Sequence, residues 1–234
     1  MTKKVLITGS SSGIGKTIAE TLINKGYMVI QTGRRELADK ANYIKCDLSL
    51  LENVKILYNQ VKKDFLGIDI LINNAGYYNY LPVEKTDENE IIKMFNTNFL
   101  SHYYLTSLFV PYMKENKFGR IINISSISGV LGEANASLYS STKSAFYGFS
   151  KSLALELAQY NITVNSISPG WVETPLTESA LNEEEKNETL DVIPQKRFVK
   201  PVEIANLVNY LISDEAKGIT GQNINLCAGL TCGC

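Results

Sequence analysis

The sequence lacks any apolar run approaching the roughly 20 residues that a bilayer-spanning helix needs. Its opening, Met1-Thr2-Lys3-Lys4, leads straight into a short apolar stretch and then glycines, with no signal-peptide core or cleavage pattern. Excess charge is missing too. Lys and Arg number 23 against 24 Asp and Glu, a net charge of -1, which gives no basic field for nucleic acid and no polybasic anchor for a membrane. Histidine is nearly absent: His102 stands alone, with no metal constellation around it in the sequence, and reads as structural. The four cysteines are Cys46, Cys227, Cys232 and Cys234. Without a secretion signal they read as reduced thiols of a cytoplasmic protein. The Cys232-Gly233-Cys234 spacing, lacking a second ligand cluster, is only a weak hint of metal or redox chemistry. No repeat or low-complexity stretch interrupts the chain. Nucleic acid, membrane and metal are therefore not expected as partners.

What the sequence does have is an alternation of short apolar strands with longer helical patterns, over 234 residues without a composition break. That length suits one domain, 1–234, better than two small ones. Strands are expected at 5–8, 27–32, 43–46, 68–72, 120–124, 162–167 and 223–226, and helices at about 14–24, 50–65, 88–115 and 138–159. Pro111 marks a kink or the near-end of the third helix. Further helical segments follow Pro175 and Pro201. Strands written as continuous Val/Ile/Leu runs are buried on both faces and need helices on both sides. Repeated β-α-β units with right-handed crossovers then give a doubly wound parallel α/β sheet of Rossmann type. Residues 177–188, rich in Glu and Asn between Pro175 and Pro194, read as a mobile lid over about 175–195.

Thr8-Gly9-Ser10-Ser11-Ser12-Gly13-Ile14-Gly15 lies between the first strand and the first helix. Glycines there allow a tight turn and close approach of a pyrophosphate, while the helix N-terminus offers free N–H groups and the positive end of its dipole. The spacing GxxxGxG differs from the more general GxGxxG, but its position is the first βα turn, where dinucleotides bind. The second strand ends in Thr32-Gly33-Arg34-Arg35. A carboxylate here would select the ribose 2′-hydroxyl of NAD(H); two arginines and no acid select the 2′-phosphate of NADP(H). The alternative is that both arginines simply face solvent at the sheet edge.

Tyr139 and Lys143 are spaced i, i+4 and share one helix face. A tyrosine ordinarily titrates near 10, and an adjacent ammonium favours its phenolate, so the pair is expected to form a tuned proton donor. The spacing alone is common on helix surfaces. Here it is joined by Ser125-Ser126 after the fifth strand, Asn73-Asn74-Ala75-Gly76 after the fourth, Asn98 in the long helix and Pro169-Gly170-Trp171-Val172-Glu173-Thr174 after the sixth. All fall at one edge of the sheet, where ligands collect.

Over essentially the whole chain, this ensemble resembles the short-chain dehydrogenase/reductase family, with its TGxxxGIG turn, NNAG stretch, YxxxK pair and PGxVxT segment. The resemblance implies that Ser126 hydrogen-bonds the substrate carbonyl and Tyr139 is the general acid. Lys143 would tune that acid and hold the nicotinamide ribose, and Asn98 would position a water between Lys143 and solvent. It also implies cofactor contacts from Gly9, Ser11, Ser12, Gly13, Ile14, Gly15, Asp47, Leu48, Asn74, Ala75, Gly76, Pro169, Gly170, Val172 and Thr174. Asp47 would meet the adenine edge and Val172 the carboxamide. Homotetramers are a further implication; the apolar positions Phe95, Phe99, Leu105, Phe146, Phe149, Leu153 and Leu157 are consistent with an oligomer.

Within the family the likeness is greatest to 3-oxoacyl-acyl-carrier-protein reductases, implying NADPH-dependent reduction of an acyl-thioester ketone. Three features depart from them. The helix after the second strand has room for only one or two turns before Asp47. Of two expected basic positions for an acidic carrier, Lys117 is basic but the other is Tyr160. The usual Asp-Gly-Gly near the C-terminus is Cys227-Ala228-Gly229. Tyr77, Tyr78, Tyr80 and Trp171 give an aromatic pocket wall suited to a cyclic, sugar-derived or secondary-metabolite ketone, or else they face solvent or a neighbouring subunit. A non-catalytic dinucleotide-binding sensor on the same fold is the remaining alternative.

Overall fold

The computed structural model describes residues 2–37 and 42–232. Seven strands form one fully parallel sheet in the order β3-β2-β1-β4-β5-β6-β7. In chain order, β1 (Lys4–Thr8), α1 (Gly13–Asn24), β2 (Met28–Gly33) and β3 (Tyr43–Lys45) build one half with α2 (Leu51–Phe65) and β4 (Ile70–Asn73). The other half comprises α3 (Glu88–Phe95), α4 (Ser101–Glu115), β5 (Gly119–Ile124), α5 (Ser128–Leu131), α6 (Ser137–Leu157) and β6 (Ile162–Pro169). It continues through α7 (Pro175–Ala180), α8 (Glu183–Val192) and α9 (Pro201–Leu211) to β7 (Asn223–Leu226). The expected doubly wound Rossmann-type sheet is what the chain forms.

The strand order reverses between β1 and β4, and the crevice at their carboxyl ends is the switch point where open α/β sheets bind ligands. Each sheet face has its own core. Val5, Ile7, Ile72 and Ile122 pack with Ile18 and Leu22 of α1 and Ile204 and Val208 of α9. Leu6, Leu71, Ile121 and Val164 pack with Leu57 of α2, Leu105 and Phe109 of α4 and Leu157 of α6. Alternate residues of one strand thus feed opposite cores, as the pleat requires.

Two features escaped the sequence reading. The strands carry polar residues that the apolar-run rule overlooks. Buried Asn73 donates to Asn123 Oδ1 at 2.8 Å and to Thr106 at 3.2 Å, Asn123 donates to Ser150 at 2.9 Å, and Ser150 meets Ser166 at 2.8 Å. This ladder ties β4, β5 and β6 to α4 and α6; its hydrogen bonds engage both amide nitrogens and Asn123 Oδ1, while Asn73 Oδ1 is buried with no partner among the described residues. The long helix expected over 88–115 is broken by a π-helical turn, Asn96–Leu100, between α3 and α4, whereas α4 continues through Pro111 to Glu115. The irregularity sits at Asn98, whereas Pro111 stands one turn before the end of α4, as its near-end reading expects; π turns concentrate at functional sites.

The stretch expected as a shortened helix before Asp47 falls partly on 38–41, outside the described residues; Arg34 to Leu37 form no helix. The stretch expected as a lid contains two short helices, α7 and α8. Thr174 caps the first, and a reciprocal box between Asn182 and Glu185 caps the second.

Candidate active site

The glycine turn is held to the end of β4 by a dense set of bonds. Thr8 Oγ1 accepts the backbone N–H groups of Asn74 and Ala75 at 2.9 and 3.0 Å, and the Asn74 amide donates to the carbonyls of Thr8 and Gly9 at 2.9 and 3.1 Å. The backbones approach so closely that a Cβ on Gly9 would lie 2.7 Å from Ala75 Cα. One on Gly15 would lie 2.4 Å from both the Asn74 amide and the Gly9 carbonyl. Glycine is therefore required at both positions on steric grounds, and Gly9 also has a φ of +67°. Ser12, the N-cap of α1, makes no side-chain cap, and the first turn has no acidic residue. The first-turn N–H groups are thus left to an anion.

From this turn opens a cleft of about 820 Å³. Its wall includes Gly9, Ser11, Ser12, Gly13, Ile14 and Gly15, with Arg34, Arg35, Asp47 and Leu48 at one end. Asn74, Ala75, Gly76, Tyr77, Tyr78, Tyr139, Lys143 and Thr174 also line it. Both arginine side chains are exposed there. Asp47 accepts the N–H of Ser49 through Oδ1 at 3.0 Å. Ser11, Ser12 and the unengaged first-turn N–H groups provide the donors a pyrophosphate needs, so the site fits the expected dinucleotide. Pro169, Gly170 and Val172, also expected to touch it, are not part of the described wall. Val172 is buried and bridges Val199, and a Cβ on Gly170 would meet Cys227 at 2.9 Å.

At the other end of the cleft, Tyr139 lies in the first turn of α6 and Lys143 one turn later. Lys143 is buried and its Nζ donates to the carbonyl of Ile124, the last residue of β5, at 2.9 Å. That Nζ stands 5.7 Å from the Tyr139 ring centroid. Ser126 follows β5, and its hydroxyl accepts the N–H of Ser128 at 3.1 Å. The neighbouring Ser125 hydroxyl is turned away and donates to the Lys143 carbonyl at 2.8 Å. The Ser126 hydroxyl also donates to Ser128 Oγ at 3.1 Å, and it is Ser125, not Ser126, that belongs to the described cleft wall.

Asn98 braces the site. Its Oδ1 accepts the N–H of Tyr77 at 2.7 Å, while its Nδ2 donates to the Tyr77 carbonyl at 2.8 Å and to Thr142 at 3.1 Å. Both ends of the carboxamide clamp the strand-to-loop exit of β4. His102 is fully buried and its Nε2 meets the Ala75 carbonyl at 2.8 Å, which gives it the structural place expected.

Electrostatics departs from the simple tyrosine–lysine picture. Burial is the main influence on Tyr139 and pushes it up to about 12; Glu133 and Tyr147 push the same way, and hydrogen bonding to Ser126 opposes them. Burial lowers Lys143 to about 8. The ammonium is itself costly to bury and is tied to Ile124, so desolvation outweighs its pull on the phenol. In this state Tyr139 is a protonated donor at neutral pH.

Sequence reasoning missed one site residue. Glu133 accepts hydrogen bonds from Tyr78 at 2.8 Å and Ser128 at 2.7 Å. Nothing in its spacing marks it, since it follows a one-turn helix that no periodicity signals. Among the described residues no three His, Cys, Asp or Glu side chains are grouped to hold a metal ion, and no helix is long and apolar enough to cross a membrane.

A family model described as short chain dehydrogenase matches residues 3–185. The chain is similar to the 3-oxoacyl-(acyl-carrier-protein) reductase of Haemophilus influenzae, at 38% identity over 97% of this chain and 98% of the relative. It is also similar to nodulation protein G of Rhizobium sp. (strain N33), at 36% identity over 97% and 96%. Among solved structures, ligand-free aldohexose dehydrogenase of Thermoplasma acidophilum superposes with a TM-score of 0.91 at 32% identity, covering 98% of this chain and 94% of that one.

Proposed function

This chain belongs to the short-chain dehydrogenase/reductase family and is an NAD(P)-dependent oxidoreductase acting on CH–OH and C=O groups; from that premise we propose that it reduces a ketone to a secondary alcohol with NADPH, using Tyr139 as general acid. The observation that carries this reading is one continuous cleft with Arg34 and Arg35 at one end and Tyr139 and Lys143 at the other.

The first-turn N–H groups of α1, with Ser11 and Ser12, would hold the pyrophosphate, the two arginines the 2′-phosphate, and Asp47 the adenine edge. When bound, the cofactor supplies the hydride. The protein's part is placement and proton delivery. Ser126 donates a hydrogen bond to the carbonyl oxygen, and Tyr139 gives that oxygen its proton as negative charge develops there. Lys143 orients the ribose hydroxyls, and Asn98 fixes the Tyr77 segment that forms the pocket wall. Pro169, Gly170 and Val172 remain proposed contacts at the nicotinamide end.

A 3-oxoacyl thioester is the first substrate to test, given the reductases at 35–38% identity. A sugar-derived or other cyclic ketone is the second reading, favoured by the aldohexose dehydrogenase likeness and by Tyr77 and Tyr78 in the cleft wall. We place the protein in the cytoplasm as a homo-oligomer, with a tetramer the form the resemblance implies. Leu105, Phe146 and Leu157 are consumed by the chain's own core. Ile92, Leu100, Tyr103 and Leu155 stay exposed on the helices and would form the subunit contact. The test follows nicotinamide oxidation with NADPH and NADH separately, offering an acetoacetyl thioester. Turnover with NADPH supports the acyl reading. NADPH binding without turnover of the thioester moves the search to sugars and cyclic ketones, and absence of NADPH binding overturns the cofactor assignment.

A further inference from the structure

No acidic residue takes part in the proton delivery, yet one carboxylate stands behind both of its hydroxyls. Glu133, half-buried after α5, accepts from Ser128 Oγ at Oε2, 2.7 Å, and from the Tyr78 hydroxyl at Oε1, 2.8 Å. Ser128 Oγ in turn accepts from Ser126 Oγ at 3.1 Å. Tyr78 lies edge-to-face against Tyr139, with ring centroids 4.9 Å apart. One side chain is therefore linked to Ser126 through a hydroxyl and to Tyr139 through a ring.

An ionised carboxylate can only accept, and this fixes the direction of every bond in the set. Ser128 must give its proton to Glu133, so its oxygen can only accept from Ser126. The backbone N–H of Ser128 also donates into Ser126 Oγ, at 3.1 Å. Ser126 is left with one proton, which rests on Ser128 at a distance long for two hydroxyls and can turn instead to the Tyr139 oxygen or to a substrate carbonyl. A neutral amide at position 133 would have one acceptor end and one donor end, so one of the two bonds would have to reverse.

We propose that Glu133 is a positioning residue for reduction: it sets the proton direction of Ser126 through Ser128 and, through Tyr78, braces the ring of Tyr139. This inference rests on the assignment of Ser126 and Tyr139 in the proposed function. The groups facing Tyr139 are Ser126 after β5, Glu133 after α5, Tyr78 after β4, and Lys143 and Tyr147 on α6. Glu133 and Tyr147 disfavour its phenolate, whereas the Ser126 hydrogen bond favours it. Removing the carboxylate charge makes the phenolate easier to form. The alkaline limb of ketone reduction then moves to lower pH, and alcohol oxidation gains at neutral pH.

The test compares Glu133→Gln and Glu133→Asp with the unmodified protein. Tyr139 is titrated by NMR on tyrosine-labelled protein, its resonance identified by its loss in Tyr139→Phe. In Glu133→Gln the titration midpoint falls by about one pH unit. Its kcat for reduction falls roughly three- to tenfold with the KM for NADPH unchanged, and Glu133→Asp recovers part of both. An unchanged midpoint in Glu133→Gln overturns the proposal. The titration needs no substrate, so it still decides on Glu133 if no ketone is turned over, an outcome that would instead count against the proposed function.

Discussion

The ring of Tyr78 stands edge-to-face against that of Tyr139, with planes at 83°. Contacts of this kind contribute about 0.5–1.5 kcal/mol beyond the area they bury, and they survive loss of the hydroxyl. Tyr139→Phe should therefore fold normally and bind NADPH with unchanged affinity. Its turnover should drop by about 10²–10⁴-fold. Steady-state rates alongside a fluorescence titration of the cofactor check both halves. Undiminished turnover would remove Tyr139 from the chemistry.

Arg34 and Arg35 are exposed at the cleft end beyond Gly33. If they meet the 2′-phosphate, Arg34→Asp replaces a donor fork with a group suited to a ribose hydroxyl. NADPH affinity should weaken by roughly tenfold or more while NADH affinity holds or improves. Binding titrations with both nucleotides give the ratio directly, and an unchanged ratio would leave the arginines facing solvent.

How far the sequence discloses this molecule depends on whether a feature has a period. The long helices do, the strands show instead as unbroken apolar runs, and the last strand was placed residue for residue at Asn223–Leu226. The glycine turn was legible because Gly9 and Gly15 are sterically compelled. What stayed hidden is tertiary in origin. The π turn at Asn96–Leu100 arises where Asn98 clamps Tyr77, a residue 21 positions away. The polar ladder from Asn73 to Ser166 has partners on different strands and helices. Glu133 acquires its place only when the loops after β4 and β5 come together. The expectation that Lys143 lowers Tyr139 considered charge without burial, and burial is the larger influence.

Ala228 has a φ of +53°, left-handed backbone at a residue with a side chain. An L residue there costs on the order of 1 kcal/mol relative to glycine, partly offset by glycine's greater freedom when unfolded. Ala228→Gly should therefore stabilise the fold by about 0.5 kcal/mol and raise Tm by about 1–2 °C. Gly229, at a φ of +92° with Pro194 only 3.0 Å from its would-be Cβ, should respond oppositely to alanine. Thermal melts of the two variants would separate the effects; a fall in Tm for Ala228→Gly would contradict this account of the turn.

The single histidine supplies a pH test. His102 is fully buried, and its Nε2 must carry the proton it shares with the Ala75 carbonyl at 2.8 Å. Burial, with the nearby charge of Lys143, pulls it down to about 4, while the Ala75 hydrogen bond resists. The folded value therefore lies below the unfolded one of 6.5. Between those values the unfolded chain binds the extra proton, so stability is present above pH 6.5 and is lost as pH falls toward 4. At about 1.4 kcal/mol per unit, the loss is on the order of 3 kcal/mol. His102→Gln can keep a donor on Ala75 but cannot titrate. Its Tm should decline less steeply than that of the unmodified protein over this window. The carboxylates that also titrate there are common to both proteins and cancel in the comparison. Identical pH slopes in the two proteins would mean that His102 titrates normally, contrary to its burial.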